Sequence, residues 1–201
     1  DAHVAPPRRG LSVVLQTAAG FPAQPAQSWA LSPRAAAIFL GDLTPAPGVE
    51  IGYLAPAGAW VYEQDGGRYR LAPRKIVHES TFFDTPSADG VVEWMGRVDV
   101  DGNGWDDLFV PTAQGLRLYL QDARRRFPAV AKLPVAPEHS ASVEVVAALD
   151  ALPGVTTLTA SSAVTLPTVA DVNGDGRHDV LFLQGDRLLY FLQGSAGQFP
   201  A

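Results

Sequence analysis

Four stretches of this chain end alike, and that internal repetition limits the possible folds more than any other feature. Residues 11–22, 58–70, 116–128 and 188–200 each run through an alternating strand, a Gln, a small polar turn and an aromatic that usually precedes Pro. The glutamines are Gln16, Gln64, Gln121 and Gln193, at spacings of 48, 57 and 72 residues. Upstream of the last three lies a second shared feature: an acid, a turn-rich loop, another acid eight residues on, and a short apolar strand. The acid pairs are Asp42/Glu50, Asp99/Asp107 and Asp171/Asp179.

Period-2 alternation predicts strands at 107–110, 116–120, 179–183 and 187–192. Four short antiparallel strands in each unit of about 40–70 residues are the pattern of a β-propeller blade. The fixed offsets favour blades over a sandwich of hairpins. The expected fold is therefore all-β, with about 3.5 repeats of a four-stranded antiparallel blade. Its parts are a closing hairpin at 10–22, a degenerate repeat at 36–75, and two acidic-loop repeats at 93–133 and 164–200. An insertion around 138–163 fits either a further hairpin or a short helix, because Ser142–Leu149 matches both periods.

Composition agrees. The 201 residues include 19 Gly and 17 Pro, which favours short elements joined by turns over long helices. A hydrophobic content of 47% excludes a disordered chain. The absence of Cys excludes a disulfide scaffold, a zinc finger and a thiol nucleophile. A net charge of −6 argues against nucleic acid as partner. The longest wholly apolar run, Ala35 to Leu40, falls far short of the roughly 20 residues a spanning helix needs. Residues 1–10 have no apolar segment of the kind a signal peptide carries.

The loop from Asp99 through Asp101, Asn103, Trp105 and Asp107 offers side-chain oxygens at positions 1, 3, 5 and 9; Asp171, Asn173, Asp175, Arg177 and Asp179 repeat the spacing. Alternate side chains in a tight loop converge on its inside, and glycines at positions 4 and 6 permit the positive φ that wraps the backbone. Such a set suits Ca2+, a hard cation that takes six to eight oxygens. The backbone carbonyls of Trp105 and Arg177 would add one oxygen to each site, and the ninth-position Asp could bind through both of its own. Two calcium sites are therefore expected. An EF-hand is excluded, because its twelfth position would carry Glu where this chain has Val110 and Phe182. In the first copy Thr44 and Ala46 replace the inner acids and Pro45 and Pro47 stiffen the loop, so it is expected to keep the turn and lose the metal.

At these residues the chain resembles FG-GAP/VCBS repeats, the units of the β-propellers of integrin alpha chains and of many secreted bacterial proteins. The resemblance covers 97–128 and 169–200, with 41–70 as a degenerate copy. It implies that Asp99, Asp101, Asn103, Asp107, Asp171, Asn173, Asp175 and Asp179 ligate calcium, that calcium braces the blade, and that the propeller is an interaction platform.

Other residues carry less chemistry. His3, His78, His139 and His178 are scattered, with no two at metal-ligand spacing. His78, Glu79 and Ser80 are sequential neighbours without a nucleophile elbow. Arg124–Arg126 are expected in a solvated turn, Trp60 and Trp94 in the core, and Trp105 where it can meet a ligand. Because propellers have about 4–8 blades, 3.5 units are expected to belong to a longer protein or to be completed by another chain. The expected function is a non-enzymatic, extracytoplasmic scaffold for a protein partner or further subunits of a complex, since millimolar external calcium fills such sites. Alternatives are a lectin-like propeller that binds glycans through exposed aromatics, and the accessory propeller of an enzyme whose active site lies elsewhere.

Overall fold

The computed structural model describes residues 9–83, 91–135, 138–145, 156–163 and 166–199. Among them are eighteen strands, one 3-10 turn at Ser195–Gly197 and no α-helix. The strands form several sheets, none closed into a barrel.

Strands β1 (Gly10–Val13) and β2 (Gln27–Ala30) pair antiparallel across a connection that holds a tight turn bridged by Thr17 and Gly20. The segment expected as a hairpin at 10–22 thus supplies one strand and a turn, and the second strand comes five residues later. A first unit follows: β3 (Ala37–Gly41), β4 (Glu50–Ala55) and β5 (Gly58–Tyr62) form a meander. A two-residue hairpin, β6 (Gln64–Asp65) and β7 (Arg68–Tyr69), precedes β8 (Arg74–Val77), which pairs with β5. At the other edge, β9 (Val92–Glu93) runs parallel to β3.

The second unit repeats that order with β10 (Arg97–Val98), β11 (Asp107–Thr112), β12 (Gly115–Leu120) and β13 (Ala129–Leu133). Strands β14 (Glu138–Val145) and β15 (Thr156–Ala163) then pair only with each other, so the insertion forms a hairpin rather than a helix. Residues 146–149 of the ambiguous Ser142–Leu149 stretch lie outside the described residues. A third unit comprises β16 (Thr168–Ala170), β17 (Asp179–Gln184) and β18 (Arg187–Phe191), with no fourth strand among the described residues.

The tight β4–β5 and β11–β12 turns each depend on a glycine. Gly58 and Gly115 have φ of 140° and 119°, and a Cβ on either would strike the carbonyl oxygen of Val77 or Leu133 on the neighbouring strand. Both faces of the second unit are covered. Phe109 meets Phe182 of the third unit edge to face at 6.4 Å, in a core that also takes in Leu54, Val61, Leu108, Leu116 and Leu118. A second cluster joins β1 and β2 to the first unit through Trp29, Tyr53 and Tyr62. Trp94 is buried and donates its indole N–H to the Phe109 carbonyl at 2.9 Å. Trp60 is only half-buried: it stacks on Tyr53 with Lys75 over its ring.

A candidate metal centre in the acidic loops

Each unit turns between its first two strands through an acidic loop, and in each the acid that closes the loop is wholly buried. Those acids are Glu50, Asp107 and Asp179. A buried carboxylate must have its lone pairs filled, and here the loop backbone fills them. Glu50 accepts from Leu43 N, Asp107 from Val100 N and Asp179 from Val172 N, at 2.7, 2.8 and 3.0 Å. The other oxygen of Asp107 accepts from Gln121 N, and that of Asp179 from Gln193 N, fourteen residues on in both. Two of the four Gln landmarks, Gln121 and Gln193, are thus the residues whose main chain locks onto the buried acid. Their capacity for this role was not read from the sequence; the constant fourteen-residue offset was the available signal.

The opening acid organises the rest of the loop. Asp99 accepts N–H bonds from Gly102, Asn103 and Gly104, and Asp171 accepts the corresponding three from Gly174, Asp175 and Gly176. Gly102, Gly104, Gly174 and Gly176 all have φ between 74° and 87°, and a Cβ at any of them would meet nothing within 4 Å. Conformation rather than crowding requires glycine there. The third- and fifth-position oxygens each accept an N–H two residues on: Asp101 from Asn103, Asn103 from Trp105, Asn173 from Asp175 and Asp175 from Arg177.

In the second unit this winding draws Asp99, Asp101 and Asp107 together, one carboxylate oxygen from each lying within 4.8 Å of the others. No other group of this kind is found among the described residues. A carboxylate oxygen that accepts one N–H keeps a second lone pair, so the set can still ligate a hard cation. Burial pushes the Asp107 carboxyl up to about 7, against the lowering effect of the Gln121 and Val100 N–H bonds. Asp101 is also raised, by burial first and then by the charge of Asp99. Without a cation these shifts set a pH dependence. A carboxyl raised in the folded state holds its proton more tightly there, so its contribution to stability is full below about pH 4 and is lost as pH rises through about 7. Metal-free protein is therefore expected to lose stability between those limits, as measured by urea unfolding across the range.

The third unit keeps the winding but answers its charge differently. The Arg177 side chain bonds Asp175 and reaches the Gln193 carbonyl at 3.0 Å. In the second unit the same carbonyl position, on Gln121, is taken by the Asn103 amide at 2.8 Å. Asp175 is held below the usual carboxylate range, first by the Arg177 N–H. In the first unit Thr44 bonds Glu50 where the inner acids would stand, and Asp42 is turned outward. That loop keeps its turn without an inner carboxylate.

Contacts between units recur as well. His178 Nδ1 lies 3.2 Å from the Asp99 carbonyl, and the Gln193 amide donates to the Val100 carbonyl at 2.8 Å. One unit earlier, Asp106 accepts from Asp42 N and Arg125 donates to the Asp42 carbonyl. Arg125 departs from the solvated-turn expectation. It has φ of 57°, pairs with Asp42, and lies 3.7 Å over the Trp105 ring. Trp105 therefore has one face covered. Glu79, beside His78 and Ser80, accepts the Tyr119 hydroxyl and pairs with Arg117, which ties it to the adjoining unit.

The fold and site together define an all-β chain of antiparallel units with acidic loops and one convergent carboxylate cluster. No helix among the described residues is long and apolar enough to cross a membrane. No protein-family model, no curated protein and no solved structure matches the chain.

Proposed function

We propose that the units are propeller-type blades and that the chain is a calcium-braced, extracytoplasmic scaffold for protein partners, without enzymatic activity of its own. The convergence of Asp99, Asp101 and Asp107 in a loop wound by its own N–H groups carries this reading. Three converging carboxylates are hard donors, as is the amide oxygen of Asn103 at the fifth loop position, which is the chemistry of calcium rather than of zinc. Bound calcium would replace the repulsion among these acids with attraction and fix the turn that the third unit grips through the Asp99 and Val100 carbonyls. The role is structural: rigidity delivered to a sheet whose surfaces bind. Trp105 favours this reading over sugar stacking, because Arg125 already covers one of its faces.

A thermal melt tests it. With a Kd near 0.1 mM, typical of the tighter extracellular calcium modules, about 2 mM calcium adds roughly 2 kcal/mol of stability, or about 4–8 °C for a chain of this size. The gain is expected to shrink at pH 5, where protons compete for Asp107. An unchanged midpoint in EDTA and in calcium contradicts the metal. The Arg177→Gln variant is expected to release Asp175 and strengthen the loop of the third unit about tenfold as a second calcium site, since one competing charge–charge hydrogen bond is worth roughly 1.5 kcal/mol. Calcium titration of that variant measures the change.

A further inference from the structure

Residues 72 positions apart in the second and third units occupy equivalent places, as Asp107 and Asp179, and Gln121 and Gln193, make the same hydrogen bonds. The turns that follow also close alike, through Asp122 N to the Arg126 carbonyl and Gly194 N to the Gln198 carbonyl. Within them Arg124, Arg125 and Arg126 stand where the third unit has Ala196, Gly197 and Gln198. Arg125 and Gly197 share the left-handed conformation, with φ of 57° and 72°. The turn thus forms without arginine. Arg125 is accounted for by its contacts with Asp42 and Trp105. Arg126 is not: its side chain is 63% exposed and comes only within 3.6 Å of Asp122, outside hydrogen-bond range.

The backbone beneath Arg126 is pinned, because the Asp122 carboxylate accepts the Arg124 and Arg126 N–H groups at 2.9 Å each. Arg126 lines a cleft of about 430 Å³ together with Arg74 of β8, so the cleft lies where the first unit meets the second. Ile76, Phe127, Pro128 and Arg125 complete the lining, and no acid belongs to it. In a chain of net charge −6, three guanidinium groups around one cleft stand out. Arg74 donates its Nε to Glu63 at 2.7 Å and makes no other hydrogen bond among the described residues. Its two Nη groups are therefore available, as are all five N–H donors of the Arg126 side chain. One guanidinium fork satisfies a carboxylate, whereas two suit a tetrahedral group with three terminal oxygens. The apolar wall beside them would cover a carbon body, which a bare ion lacks.

We propose that this cleft binds an organic phosphate or sulfate ester, with Arg74 and Arg126 on its terminal oxygens and Ile76, Phe127 and Pro128 against its carbon body. The site goes beyond the scaffold reading and does not use calcium. Titration calorimetry of the whole chain in EDTA, at two temperatures, tests it with phenyl phosphate and phenyl sulfate. Saturable binding of at least one ester is expected, with inorganic phosphate and sulfate at least about fivefold weaker for want of the ring. The two sources separate by pH. A phosphate ester loses its second charge as pH falls through about 6 and should bind more weakly at about pH 5, whereas a sulfate ester keeps its charge. Arg126→Ala should weaken binding at least about tenfold, and Arg126→Lys by less, since it keeps the charge and loses the fork. Arg187→Ala, at a side chain 82% exposed in the third unit, removes the same charge and should leave binding unchanged. No saturable binding of either ester up to about 10 mM, inorganic ions binding as tightly as the esters, or equal losses in Arg126→Ala and Arg187→Ala overturns the inference. Calcium binding stands or falls by the melt described above, independently of these outcomes.

Discussion

Replacing Asp107 with Ala is expected to cost about 3–5 kcal/mol, because two buried N–H donors lose their acceptor at roughly 1–3 kcal/mol each and a cavity adds to the loss. The donors are Val100 N and Gln121 N, which close the two ends of one loop on a wholly buried carboxylate. Asp107→Asn should lose less, since its amide retains one acceptor oxygen of the two. Asp179→Ala removes the same pair of bonds in the third unit, from Val172 N and Gln193 N. There the loop is exposed, and water can reach the freed Val172 N–H. Its cost is expected to be about half as great. Urea unfolding of the three variants measures the series, and equal losses at 107 and 179 would contradict the account of loop burial.

The second large effect is expected at Phe109. Its ring is fully buried and joins two units through its edge-to-face contact with Phe182, in the cluster that contains Val110 and Val180. Truncating a buried Phe to Ala costs about 3–5 kcal/mol, which lowers the melting midpoint of a chain this long by about 6–20 °C. Phe21→Ala, at a residue 71% exposed, should change stability by less than about 0.5 kcal/mol. Thermal melts of both variants in EDTA separate packing from any metal effect. A small loss at Phe109 would mean that the second and third units do not hold each other.

Much of this architecture was legible in the chain. The strands expected at 107–110, 116–120, 179–183 and 187–192 appear as β11, β12, β17 and β18, within two residues at each end. Period-2 alternation reports a local property, the side of a strand on which a residue sits, and it survives folding. The loop glycines were legible for the same reason, since a left-handed φ is a demand of single residues. What the pattern could not convey was long-range direction. Arg125 looked like one of three turn arginines, yet it reaches Asp42, 83 residues earlier in the chain. For Arg177 only the backbone carbonyl enters the sequence-based expectation, and its side chain, on which that expectation is silent, pairs with Asp175. Both were opaque because a long charged side chain chooses among distant partners that only the packed units bring near. The parallel pairing of β9 with β3 has the same cause.

The central claim is that the Asp99–Asp107 loop holds calcium and that Asp101, the inner acid with no buried backbone role, is a ligand. Equilibrium dialysis at about 0.5 mM free calcium, within the range of extracellular calcium modules, tests it most directly. Close to one ion retained per wild-type chain, falling to near zero in Asp101→Asn, is the expected result. No retained calcium, or equal retention in the variant, would contradict it.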